Sequence, residues 1–291
     1  MLLLAALVWG VAFVAQSEGL NYVGAFTFNT CRFLLGGAVL IPCIYFLHGR
    51  KDSAWQTLSE KEKKEQTRMG IIGGICCGCI LCLASCLQQF GIAQTTVGKA
   101  GFITTLYIII VPFMGLFLKR KIGINIWISA VIAAVGMYFL CITESFSIGA
   151  GDRLVLMCSV VFSVHILVID HFSPKADGVV ISCVQFFTAG VIASVLMLLF
   201  EHPSVSAVIA AAAPILYAGV MSCGVGYTLQ VVAQNGVDPT VASLLLSLES
   251  VFSVLAGWML LGQKLSGREL FGCVLVFAAV LLVQIPTEKL F

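Results

Sequence analysis

The stretch that decides the fold is MGIIGGICCGCILCLASCLQQF, Met69 to Phe90, 22 residues without a charged side chain. A helix of that length, rising about 1.5 Å per residue, crosses a bilayer core of about 30 Å. The rest of the chain reads the same way. Its 291 residues are 60% hydrophobic and 10% charged, against roughly half apolar and about a quarter charged in soluble domains. Sixteen Lys+Arg and fourteen Asp+Glu cannot furnish the charged surface that keeps a soluble protein of this size dispersed. Disorder is excluded because its signature is low hydrophobicity, and a membrane barrel because its signature is short alternating strands. The net charge of +2 argues for no nucleic-acid partner.

Using charged residues and turn signals as punctuation, ten apolar segments emerge, at 2–16, 26–47, 69–90, 98–118, 122–143, 154–169, 179–200, 211–233, 240–261 and 270–285. The fold class expected is an all-α polytopic membrane protein. The first segment has no basic residue before it, so it reads as a membrane helix rather than a signal peptide; an upstream extension is compatible with this. The long hydrophilic stretch from His48 to Arg68 reads as a loop. Within it, Ser59 and Glu62 form a capping-box pattern, and Trp55 with Leu58 suits a short interfacial helix. Most of the twelve cysteines lie inside apolar runs, where they pack as small hydrophobes. Cys79, Cys82 and Cys86 fall near one helical face, but no His or carboxylate occurs between Met69 and Lys99 to complete a thiolate site, so no metal and no cofactor are expected.

Basic residues in short loops set the orientation. With the amino terminus inside, the cytoplasmic face receives Arg50, Lys51, Lys61, Lys63, Lys64, Arg68, Lys119, Arg120, Lys121, Lys175 and Lys289, and the outer face Arg153, Lys264 and Arg268. Both termini are therefore expected in the cytoplasm, and the protein in a bacterial cytoplasmic membrane.

Internal similarity adds a second level of order. Displacing the chain by 142 residues lays Leu87 and Gln88 on Leu229 and Gln230, Ala100 on Ala242, Leu106 on Leu248, Gly115 on Gly257 and Leu140 on Leu282. The expected organisation is ten transmembrane helices as two five-helix repeats, 1–143 and 144–291. Because five is odd, the halves cross the bilayer in opposite senses, the inverted-repeat arrangement that supports alternating access to a midplane site.

The opening LLLAALVWGVAFV with Trp9 and Gly10, CRFLLGGAVL around Arg32, VGKAGFITTLYIIIVPFMGL from Val97 to Leu116, and SLLLSLESVFSVLAGWMLLGQKLSGRELFGCVL from Ser243 to Leu275 are each short, but their order and spacing are specific. On these the chain resembles the ten-helix EamA-type branch of the drug/metabolite transporter superfamily over essentially its whole length. It departs from that pattern at Ser250, where many relatives carry a proline, and at Gln263, where they carry an acidic residue. The resemblance implies a central cavity built chiefly by segments 69–90, 98–118, 211–233 and 240–261, with 122–143 and 270–285 at the periphery.

Ionisable residues inside the membrane are costly and mark candidate sites. Glu249, near the middle of its segment, suits a proton carrier or cation-binding group, or else a hydrogen-bonded tie between helices. Tyr107 is its counterpart at the 142-residue displacement, and a phenol opposite a carboxylate suits a hydrogen bond. Gln88 and Gln230 form a second matched pair, read as two opposite gates or as amides bonded to neighbouring backbone. Gln89, Thr104, Thr105, Tyr227 and Ser247 add possible polar lining. Arg32 is expected to snorkel toward the outer surface or to pair with Glu18. If instead Arg32 and Lys99 point inward, they form an electropositive entrance. His165 titrates near neutrality when free but more commonly packs. Pro112 removes one backbone hydrogen bond, predicting a kink near Ile108.

The reading that follows is a secondary transporter for a small metabolite or amphipathic solute, with a coupling proton or counter-substrate. No GxxxxGK[ST] sequence for nucleotide phosphates occurs. An intramembrane enzyme and a non-transporting scaffold are the competing readings. The four histidines occur singly, without the spacing of a metal or nucleophile site, so no catalytic set is expected.

Overall fold

The computed structural model describes residues 1–49, 54–95, 97–119, 123–141, 149–261 and 266–283, all of whose regular structure is helical. Helices α1 (Leu2–Gly19) and α2 (Ala25–Gly49) are followed by a short α3 (Ala54–Thr57) and a 33-residue α4 (Glu60–Ile92). Next come α5 (Val97–Thr104), α6 (Tyr107–Phe117) and α7 (Ile124–Cys141). The second half holds α8 (Ala150–Phe172), α9 (Gly178–Phe200), α10 (Val205–Ala210) and α11 (Ala212–Leu216). A π-helix (Tyr217–Tyr227) leads into α12 (Thr228–Gln234), and α13 (Pro239–Leu246), α14 (Leu248–Leu261) and α15 (Gly267–Val283) complete the order.

Among the described residues, eight helical stretches are long and apolar enough to cross a membrane. The apolar helix Ile124–Phe139 and the 17-residue α15 fall short of that length. Bulky apolar side chains face outward, Phe46 and Leu198 each at 70% exposure. Polar groups such as Gln89, His165 and Gln185 are fully buried. That inside-out distribution suits lipid as the surrounding solvent.

Within the hydrophilic stretch, Ala54–Thr57 is helical and α4 begins at Glu60, where the sequence suggested a loop. Ser59 accepts from the Glu62 backbone N–H at 3.3 Å, and Glu62 accepts from the Ser59 N–H at 2.8 Å. This reciprocal cap starts α4 itself, which carries its charged first turns directly into the apolar run. Trp55 stacks on His48 at 4.1 Å between ring centroids, and His48 Nε2 lies 2.9 Å from Asp177. The cysteine face divides: Cys82 and Cys86 are buried and Cys79 is exposed.

Helix α4 packs on α8 and α9, α2 on α9, α1 on α14, and α7 on α15. At Gly78 an added Cβ would stand 2.6 Å from the Gln185 carbonyl oxygen, so α4 and α9 approach backbone to backbone, as small residues allow in membranes. Glu201, just beyond α9, accepts from the Phe26 N–H at 3.0 Å, the Thr27 N–H at 2.8 Å and the Thr27 hydroxyl at 2.6 Å. It thereby satisfies donors that the first turn of α2 leaves open.

Two spans are interrupted. Between α5 and α6 the chain turns at Thr105 and Leu106, where the Ile108 N–H donates to the Thr105 carbonyl at 3.0 Å. The interruption therefore precedes Ile108, the residue from which Pro112 withholds a donor. Between α13 and α14 the break is at Ser247, so a break exists although Ser250 stands where relatives carry proline. Gln263 lies outside the described residues. At the displacement of 142 residues that separates Tyr107 from Glu249, Val97–Thr104 falls on 239–246, the bounds of α13. Ile124–Cys141 falls on 266–283, against Gly267–Val283 for α15.

Candidate functional site

Both interrupted spans open onto one cavity. Tyr107 is the first residue of α6 and Glu249 lies in the first turn of α14. A helix N-terminus presents free backbone N–H groups and favours acceptor side chains nearby. The Tyr107 hydroxyl donates to Glu249 Oε1 at 3.0 Å, and both residues are buried, at 3% and 4% exposure. They line a cavity of about 500 Å³ of non-atom space, counted with the solvent at its mouth.

The predicted glutamines meet there as well. Gln88 from α4 and Gln230 from α12 both line the cavity, with Thr104 from α5. Gln88 Nε2 donates to Thr104 Oγ1 at 3.4 Å, whereas Gln230 Oε1 is buried without a partner among the described residues. Tyr227, at the end of the π-helix, faces the same space. Its ring lies 4.5 Å from that of Trp9 and 6.1 Å from that of His165. His165 also lines the cavity, its Nε2 3.1 Å from Gln185 Oε1.

Arg32 departs from expectation. It is 2% exposed, so it does not snorkel, and Glu18 is engaged with Asn21 at 3.1 Å and Tyr22 at 3.0 Å. Instead Arg32 Nη1 donates to Gln16 Oε1 at 3.0 Å, and the Gln16 backbone carbonyl accepts from Gln89 Nε2 at 3.1 Å. The guanidinium carbon sits 4.8 Å from the Phe33 ring centroid and 5.7 Å from that of Phe28, within range of cation–π attraction. Arg32 thus belongs to the cavity wall.

Gln89, Thr105, Ser247 and Pro112 do not line the cavity; the Thr105 hydroxyl donates to the Gly101 carbonyl at 2.9 Å. The Ser247 hydroxyl donates to the Leu244 carbonyl at 2.7 Å, turned back on its own helix. Pro112 is buried further along α6 and does not line the cavity. Lys99 lies on α5, its side chain outside the described residues.

Sequence reading missed Gln16, Phe13 and Phe162, which also line the cavity. Gln16 carried the signal used for Gln88, an amide at the end of an apolar run, but stood at the edge of the first segment. Trp9 was legible only as part of a motif. It donates from Nε1 to the Ser222 carbonyl at 3.3 Å inside the π-helix, a helix form that recurs at functional sites. Among the described residues no group of three or more His, Cys, Asp or Glu could hold a metal ion.

A profile of the EamA-like transporter family matches residues 1–142 and 149–285. An uncharacterized transporter of Archaeoglobus fulgidus is 29% identical over 285 residues, covering 98% of this chain and 84% of that protein. A protein of known crystal structure superposes with a TM-score of 0.71 at 17% identity, covering 98% of both chains. That likeness speaks to the fold alone.

Proposed function

The chain belongs to the EamA-like transporter family, and from that premise we propose that it is a secondary transporter. It carries a small metabolite or amphipathic solute across the cytoplasmic membrane by alternating access. The observation that carries this reading is the buried cavity in which Tyr107 and Glu249 meet at 3.0 Å. A polar chamber in an apolar bundle costs stability, and such costs mark solute and ion pathways.

The organisation proposed is ten transmembrane helices in two inverted repeats, 1–143 and 144–291. Its support is the agreement of helix bounds at a displacement of 142 residues and the paired breaks before Tyr107 and Glu249. Inversion makes the two halves interchangeable in role, so the inward-open and outward-open states become near mirror images. Glu249, Tyr107, Gln88, Gln230, Tyr227 and Thr104 contact the solute, with Glu249 as the proton-carrying or counter-substrate-linked group. Both termini face the cytoplasm in this reading, which the bias of basic residues between the loops supports.

The reading is tested by screening solutes for thermal stabilisation of the purified protein and measuring flux of the hits in proteoliposomes. Stabilising solutes that cross only in the presence of the protein support it. Hits that bind but never cross contradict it.

A further inference from the structure

A cation buried inside a membrane protein needs an anion or a full set of hydrogen bonds. Arg32 has neither. Nη1 is held by Gln16, while Nε and Nη2 are buried with no partner among the described residues. Ion pairs form elsewhere, as at His48–Asp177, Lys63–Glu60 and Arg68–Glu65. Glu249, in the same cavity, is bonded to Tyr107 instead.

The two idle groups share one edge of the guanidinium plane. Nε–H and Nη2–H on that edge point in parallel, the fork that donates to both oxygens of a carboxylate. The remaining nitrogen is fixed by the Gln16 side chain, and Gln89 holds the Gln16 backbone at its carbonyl, so the fork has an orientation before any ligand arrives. Arg32 is 2% exposed, which keeps the fork away from bulk water, as an occluded site between two access states requires. Among the described residues that line the cavity Arg32 is the one Lys or Arg. One cation matches a monoanion better than a phosphate dianion. The neighbouring walls from Trp9, Phe13, Phe162 and Tyr227 suit an apolar body behind the charged group.

We propose that Arg32 is the docking group for an organic monocarboxylate, taken as a bidentate pair on its Nε and Nη2 edge, with Gln16 as the positioning residue. This specifies the solute of the transporter reading and rests on it.

Equilibrium binding of radiolabelled phenylacetate to the purified protein tests the inference, with phenylacetamide and phenethylammonium as neutral and cationic competitors. The wild-type protein is expected to bind phenylacetate and to prefer it at least about tenfold over either competitor. Arg32→Gln is expected to lose that preference, and Arg32→Lys, which keeps the charge without the fork, to fall between. Equal competition by phenylacetamide, retention of the preference in Arg32→Gln, or no binding of phenylacetate overturns the inference. The wild-type comparison needs no variant, so it decides the matter even if Arg32→Gln does not fold. Counterflow of neutral or cationic solutes at equal rates in wild-type and Arg32→Gln proteins leaves the transporter reading standing and removes this inference. A protein that moves no solute of any charge removes both.

Discussion

The Tyr107 hydroxyl donates to Glu249 Oε1 at 3.0 Å, joining residues 142 positions apart in the chain. Each stands in the first turn after a break in its span, so the bond bridges the two places where the bundle is least regular. Tyr107→Phe removes the donor and leaves the carboxyl without it. An ordinary hydrogen bond contributes about 0.5 to 1.5 kcal/mol, so solute affinity or flux is expected to change by about two- to tenfold, as proteoliposome transport measures. Glu249→Gln retains size and an acceptor oxygen. It is expected to express normally and to lose the pH dependence of transport; a pH profile identical to wild type contradicts its assigned role.

Helix α1 closes against α14 beside the cavity. At Gly10 an added Cβ would stand 2.6 Å from Phe252 Cβ and 2.8 Å from the Ser253 backbone nitrogen. Backbone cannot yield as a flexible side chain does, so Gly10→Ala is expected to cost about 1 to 3 kcal/mol. Thermal unfolding in detergent reads this as a lowered midpoint, and an unchanged midpoint argues against the close packing of α1 on α14.

Glu201 holds the first turn of α2 through two backbone N–H groups and the Thr27 hydroxyl. Glu201→Ala leaves those donors without their acceptor. A loss of about 1 to 2 kcal/mol is expected, comparable to removing a helix cap, with Glu201→Gln losing less because one oxygen remains. Equal stabilities for both variants and the wild type contradict this role.

Orientation is tested at the start of α4. Ser59→Cys, labelled with a membrane-impermeant maleimide, is expected to react in inside-out vesicles and to stay silent in right-side-out ones, with the unsubstituted protein as blank. Labelling from the outside alone reverses the assigned topology.

How much of this was legible in the sequence depends on range. Charge-free runs such as 69–90 reveal membrane spans because the bilayer demands one property over a whole turn-by-turn length. The Tyr107–Glu249 pair was legible because both stand at the 142-residue displacement that matches the apolar pattern of the two halves, and a phenol and a carboxyl suit a hydrogen bond. The capping box at Ser59 was legible as a local pattern, but not that it starts a 33-residue helix, because charged first turns resemble a loop. Arg32 was misjudged: composition shows an arginine near a membrane surface, while its burial depends on Gln16 and the rings of Phe28 and Phe33 arriving around it. The π-helix that seats Trp9 and Tyr227 left no sequence signal, since its apolar and glycine residues serve an α-helix equally well.

Solute counterflow tests the central claim most directly. Proteoliposomes loaded with an unlabelled solute found to bind the protein are diluted into its labelled form, with no ATP and no imposed gradient. Alternating access through the Tyr107–Glu249 cavity predicts a transient internal overshoot of label that Tyr107→Phe diminishes. The absence of any overshoot in the wild-type protein, across every binding solute, contradicts the account.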